Sequence, residues 1–135
     1  MHEQVIYSFL KRNKFKISYA IAEQMYDDLF LLHEFYAQME DEGREVAPFV
    51  FTSNIDYLDL LWHEMILHTR FYFEYCNKNF GRYIHHDPVM ESAVSNERYQ
   101  VAKIISEQVE LLIENLGEDF VQRIYGDYPK LCKGK

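Results

Sequence analysis

Residues 62–88, WHEMILHTRFYFEYCNKNFGRYIHHDP, contain the pattern that decides the fold of this chain. One helical face, with positions recurring every three or four residues, is formed by Leu58, Trp62, Ile66, Thr69, Phe73, Cys76 and Phe80. This spacing predicts a single amphipathic helix, the third of the chain, which starts after Asn54. Gly81 is placed to end it in the left-handed conformation, and Pro88 prevents an immediate new helix. The intervening RYIHHDP is therefore predicted to be a histidine-bearing loop.

The rest of the chain is also predicted to be helical. The other predicted helices are a first over 2–12, a second between the cap Ser18 and Gly43, a fourth over 96–116 and a short fifth over 118–125. The tail over 127–135 is predicted to be irregular. Residues 46–51, VAPFVF, resemble a strand, but Pro48 interrupts them. No second strand is predicted that could pair with them, so we expect a loop. The predicted fold is all-α: one domain, residues 1–135, a bundle of four or five helices with a histidine-rich loop after the third.

Composition narrows the classes of protein to which the chain can belong. Its 135 residues suit one domain, and its net charge of −8 argues against nucleic-acid binding, which needs a basic surface. No apolar run approaches the roughly 20 residues that cross a bilayer, so we expect no membrane contact. The two cysteines, Cys76 and Cys132, are too few for a disulfide framework, and the role of Cys132 stays open. We expect a reduced, cytoplasmic protein.

Polar residues on the third predicted helix form the first candidate site. Asp59 lies four residues before His63, and Arg70 lies seven residues after it, so the three share one side of a regular helix. Asp59 can accept a hydrogen bond from one ring nitrogen of His63 and leave the other directed outward. That arrangement suits a general base, a metal ligand or a structural histidine. His68 is five residues from His63, which excludes the His-Glu-x-x-His pattern of zinc proteases.

The loop histidines add a candidate metal site. His85 and His86 are adjacent, so their side chains point in opposite directions if the loop is extended. One of them could join His63, with Asp59 or Cys76, in a zinc site. The candidate metal ligands are therefore His63, His85, His86 and Cys76. Cys76 is the weakest of the four, because its place on the apolar face is typical of a small buried side chain.

The segment LDLLWHEMILHTRFYFEYCNKNFGRYIHHDP resembles the pattern Asp-x-x-Trp-His-x-x-Ile-Leu-x-Thr-Arg-x-Tyr-x-x-x-Cys-x-x-x-Phe-Gly-x-x-x-His-His-x-Pro. That pattern is typical of bacterial proteins labelled as similar to the glycine-rich domain-containing proteins of plants. The chain lacks the glycine-rich tract behind that label. The resemblance implies that the motif is a unit that brings Asp59, His63, Arg70, His85 and His86 near one another. It implies no particular activity.

Two functions follow from these patterns. The first, which we favour, is an interaction module in which the Trp-His helix and the His-His loop form a rigid surface for an unknown protein or small molecule. The alternative is a metal-dependent or general-base enzyme, hydrolase-like, in which Asp59 orients His63 and Arg70 holds an anionic group. Zinc is the cofactor that the alternative suggests. Both functions require the His85–His86 turn to fold back over Trp62 and His63.

Overall fold

The computed structural model describes residues 2–44, 49–86, 89–90 and 98–133. The all-α prediction is confirmed. The helices are α1 (His2–Asn13), α2 (Tyr19–Asp41), α3 (Asp56–Leu67), α4 (Thr69–Phe80), α5 (Arg98–Leu116), α6 (Glu118–Gln122) and α7 (Tyr128–Cys132). A 3-10 turn, Ser53–Ile55, precedes α3, and a π-helical segment, Arg123–Asp127, joins α6 to α7. The predicted roles of Pro48 and Pro88, and a helix start at Asn96, concern residues outside this description. None of the helices described has the length and apolarity required to cross a membrane.

The predicted third helix is two helices. The chain leaves helical geometry at His68, where φ is −88° and ψ is 76°, so α3 and α4 pack against each other instead of forming one rod. The apolar spacing of three and four continues across the break and gave no sign of it. Beyond the break the predicted face is wrong in part, because α4 buries Tyr72, Tyr75 and Cys76 and leaves Thr69 and Phe73 exposed. The histidine loop therefore follows α4. Arg70 and Cys76 belong to α4, so their positions around the helix cannot be counted from His63 of α3 as if the two were one regular helix.

A buried carboxylate lies beside this break. Glu64 is 1% exposed and accepts a hydrogen bond from Arg12 Nε of α1 at 2.8 Å. His68 Nε2 lies 3.5 Å from the other carboxylate oxygen of Glu64. One acidic side chain thus contacts both α1 and the residue at which the helix direction changes.

The predicted loop at 46–51 contains a short strand. Val50–Phe51 forms β1 and pairs in parallel with Val89–Met90, β2. The prediction that no partner exists was wrong, because a strand of two residues leaves no alternating pattern in the sequence. On the other side of β1, the Gln108 side chain accepts a hydrogen bond from Val50 N at 2.8 Å and donates one to Val50 O at 3.1 Å.

The predicted irregular tail is helical as far as Cys132. Helical and π-helical turns continue through Gly126, where the fifth helix was expected to end. Asp28 of α2 holds this segment, because its carboxylate accepts hydrogen bonds from Nε and Nη2 of the Arg123 guanidinium and from Tyr128 Oη. With 118–132 counted as one helical segment, the described residues form six helices, one more than the upper end of the prediction.

Aromatic and aliphatic side chains from α1 to α4 fill the main core. Fully buried members include Phe9, Leu29, Leu58, Leu61 and Tyr72. At one edge of this core, α2, α3 and α4 meet through three side chains, His33, Trp62 and Tyr75. The loop after α4 returns to the same edge, and it is there that the polar residues of the motif assemble.

Candidate functional site

Asp59 and His63 form a pair on consecutive turns of α3. His63 Nδ1 lies 2.8 Å from the Asp59 carbonyl oxygen and 3.2 Å from its carboxylate Oδ2. Both neighbours are acceptors, so Nδ1 carries the proton and Nε2 holds the lone pair of the neutral ring. The carboxylate is buried, whereas the His63 side chain is 52% exposed. His63 is therefore oriented from inside the protein and accessible from outside.

His86 completes this arrangement from the loop. Its Nε2 lies 2.7 Å from Asp59 Oδ1, and its side chain is 5% exposed. The imidazole stacks on the indole of Trp62, with ring centres 4.0 Å apart and planes 27° from parallel. The centres of the His86 and His63 rings lie 4.8 Å apart, with their planes at 74°. The Asp59 carboxylate thus lies between two imidazoles, one at each oxygen, and the loop folds back over α3 as the sequence led us to expect.

Asp59, His63 and His86, named the triad from here on, are suited to hold a metal ion. Each offers one ligand atom, and the three atoms lie within 4.8 Å of one another. Within the described ranges, no other set of three or more histidine, cysteine or acidic side chains meets this condition. Two imidazoles and one carboxylate are a common ligand set for zinc and for non-haem iron.

The structure leaves the other candidate residues outside the triad. His85 is exposed and places its ring 4.8 Å from that of Tyr83. Cys76 is fully buried, and its sulfur accepts the N–H of Ile84 at 3.4 Å. Arg70 is exposed in the first turn of α4, and among the described residues no hydrogen bond or ion pair joins it to the triad. The motif thus brings together three of its polar side chains.

A third histidine, buried beside the triad, was not anticipated. His33 of α2 is buried, with its ring 4.4 Å from that of Trp62 and its Nδ1 2.8 Å from Tyr75 Oη. Burial, with a smaller contribution from His86, lowers the pKa of His33 to about 3. The ring is therefore neutral at ordinary pH. Its position four residues after Leu29 on the buried face of α2 was the only signal in the sequence.

Tyr72 of α4 also contributes to the site without belonging to the triad. It accepts a hydrogen bond from Trp62 Nε1 at 2.9 Å and donates one to Ile84 O at 2.5 Å. Its side chain is almost completely buried. The sequence did not single it out among the many tyrosines, because its two partners come from other elements.

A family model described as UCP032817-like matches residues 3–107. The chain belongs to the UCP032817-like family. The match includes the whole triad, from Asp59 on α3 to His86 in the loop, but the family's description names no activity. The family match does not test the resemblance to bacterial proteins similar to the plant glycine-rich domain-containing proteins. Neither the curated proteins nor the solved structures gave a significant match to the chain.

Proposed function

We propose that this UCP032817-like protein binds a divalent transition metal, zinc in the first instance, through the triad. The observation that carries the proposal is the meeting of one carboxylate and two imidazoles, from two separate parts of the chain, within 4.8 Å. Three protein ligands are typical of catalytic zinc sites, in which water takes the fourth position. Structural zinc sites are usually closed by four protein ligands.

Binding requires a small adjustment of the triad. With metal–ligand bonds of about 2.0–2.1 Å, tetrahedral geometry places the ligand atoms about 3.3 Å from one another. Asp59 and His86 are enclosed, and the Trp62 ring covers one face of His86. His63 is half exposed, so it is the ligand that has room to rotate toward the ion. In the expected site, Asp59 and His86 are fixed ligands, and His63 rotates to complete the set.

The exposed side of the site indicates the class of reaction. An ion held by the triad would face solvent beside His63, where a water molecule can occupy an open position. A bound divalent cation lowers the pKa of such a water molecule toward neutrality and makes it a nucleophile. We therefore propose metal-assisted hydrolysis as the reaction class.

A second candidate is general-base catalysis without a metal. His63 Nδ1 faces the backbone carbonyl oxygen and the carboxylate Oδ2 of Asp59. This leaves Nε2 available to accept a proton at the surface. An oriented neutral histidine of this kind is what a general base requires. Metal removal separates the two candidates, because only the metal-dependent activity is abolished by a chelator and restored by zinc.

The proposed cellular setting is a reducing one, such as the cytoplasm. Both Cys76 and Cys132 are free thiols in the structure. Free thiols persist in reducing compartments, whereas secreted proteins of this size often pair them.

Elemental analysis of protein purified without a histidine tag, followed by titration with zinc and cobalt salts, tests the metal proposal. We expect one ion per chain in the wild type, and loss of that ion in His63→Ala and in His86→Ala. His85→Ala is the matched control, because it removes a neighbouring exposed histidine outside the triad and should bind as the wild type does. Absence of binding in the wild type, or equal loss in His85→Ala, would contradict the proposal and favour the interaction module suggested by the sequence.

A further inference from the structure

Two consecutive hydrogen bonds meet at the Tyr72 hydroxyl. The indole N–H of Trp62 donates to Tyr72 Oη at 2.9 Å, and the same hydroxyl donates to the carbonyl of Ile84 at 2.5 Å. Burial raises the pKa of Tyr72, so the hydroxyl keeps its proton and serves as acceptor and donor at once. This one group therefore connects α3, α4 and the loop that follows α4.

Both partners of Tyr72 are close to His86, one in space and the other along the chain. The His86 ring stacks on the Trp62 indole, and the N–H of that indole donates to Tyr72 Oη. Ile84 precedes His86 by two residues, so holding its carbonyl limits the path of the loop toward Asp59. The Tyr72 hydroxyl is thus linked to His86 through a side chain on one side and through the backbone on the other.

We propose that Tyr72 is a positioning residue for the triad: its hydroxyl holds His86 in the place where it can bind a metal ion together with Asp59 and His63. The inference rests on the metal centre proposed above. Removing the hydroxyl leaves the Trp62 N–H and the Ile84 carbonyl without their partner, which costs free energy in a buried setting. We then expect the loop and the indole to shift from their present positions. Outer-shell changes of this kind typically lower metal affinity 10- to 100-fold.

Tyr72→Phe tests the inference, and Tyr57→Phe is the matched control. Tyr57 is equally buried, and its hydroxyl also donates to a backbone carbonyl, that of Ile124 at 2.9 Å, away from the triad. The first measurement is zinc affinity by competition with a chromophoric chelator. The second is the NMR chemical shift of the His86 ring protons without metal, which the stacked indole moves upfield. Only the second is independent of whether the wild type binds zinc.

We expect Tyr72→Phe to bind zinc about 10- to 100-fold more weakly and to move the His86 ring signals downfield. Tyr57→Phe should leave both measurements at wild-type values, although it lowers stability. Unchanged His86 shifts in Tyr72→Phe, or equal effects in the two variants, would overturn the inference. A wild type that binds no zinc would instead overturn the metal proposal, while the ring shifts still decide the role of Tyr72. Should Tyr72→Phe not fold, hydrogen exchange of the Trp62 indole N–H in the wild type decides, and a rate like that of free indole would refute the positioning role.

Discussion

The imidazole of His33 and the hydroxyl of Tyr75 meet at 2.8 Å in the interior, and His33 is 4% exposed. Burial lowers the pKa of His33 from its ordinary value of 6.5 to about 3. The unfolded chain therefore binds a proton at this residue at a pH at which the folded chain does not. The stability that this neutral histidine contributes is fully present above pH 6.5 and is lost as the pH falls toward 3.

We expect His33→Asn to flatten the acid side of the stability profile. Asparagine retains a polar group near the position of Nδ1 but cannot take up the proton. Between pH 6.5 and 4, the unfolding free energy of the wild type should fall more steeply than that of the variant, by up to about 1.4 kcal/mol per pH unit. Urea denaturation at several pH values measures the difference. His85→Asn, at an exposed site, should keep the wild-type slope, and equal slopes for wild type and His33→Asn would refute the prediction.

Local chemistry made several helix ends predictable from the sequence. Ser18 caps α2 as expected, its hydroxyl accepting the N–H of Ile21 at 3.1 Å. Gly81 ends α4 in the left-handed conformation with φ at 73°. The division at His68 was not predictable, because no glycine or proline marks it and the apolar spacing continues through it. The contact of Glu64 with the distant Arg12 accompanies the break, and the sequence pattern does not show such a contact.

The part of the site that depends on local helical spacing was also predictable from the sequence. The Asp59–His63 pair follows from helical spacing, since side chains four residues apart meet on one face. The choice of His86 over His85 depends on the path of the loop, which places the His86 ring on Trp62. His33 reaches the site from another helix, and no local pattern could have placed it there.

We expect Trp62→Ala to lower the free energy of unfolding by about 3 kcal/mol, the low end for a large aromatic side chain because the indole is only partly buried. The variant loses the stack on His86 and the hydrogen bond to Tyr72. Urea denaturation, monitored by circular dichroism, measures the effect. Tryptophan fluorescence cannot be used, because the substitution removes the only tryptophan of the chain. Phe73→Ala, at a side chain that is 57% exposed, should stay within about 0.5 kcal/mol of the wild type. A loss below about 1 kcal/mol for Trp62→Ala would show that the indole does not anchor the site.

Asp28→Ala should destabilise the packing of the C-terminal helices on α2. The substitution leaves the Arg123 guanidinium and the Tyr128 hydroxyl without their shared acceptor. We expect a loss of about 2–4 kcal/mol, below the value for a fully enclosed pair because the Arg123 side chain is 29% exposed. Asp27→Ala removes the preceding, exposed carboxylate and should change stability by less than about 0.5 kcal/mol. Similar losses in the two variants, measured by chemical denaturation, would contradict a specific role for Asp28.

Gly81→Ala tests whether backbone conformation alone makes glycine necessary at the end of α4. A Cβ added at this residue meets no atom within 4 Å, so a steric clash with neighbours is excluded as the cause of any loss. The left-handed φ of 73° should still cost an alanine about 1 kcal/mol in the free energy of unfolding. Gly81→Asn should lose about half as much, because asparagine adopts this conformation more readily. Thermal and urea denaturation compare the two variants, and equal losses in both would point to a requirement other than the sign of φ.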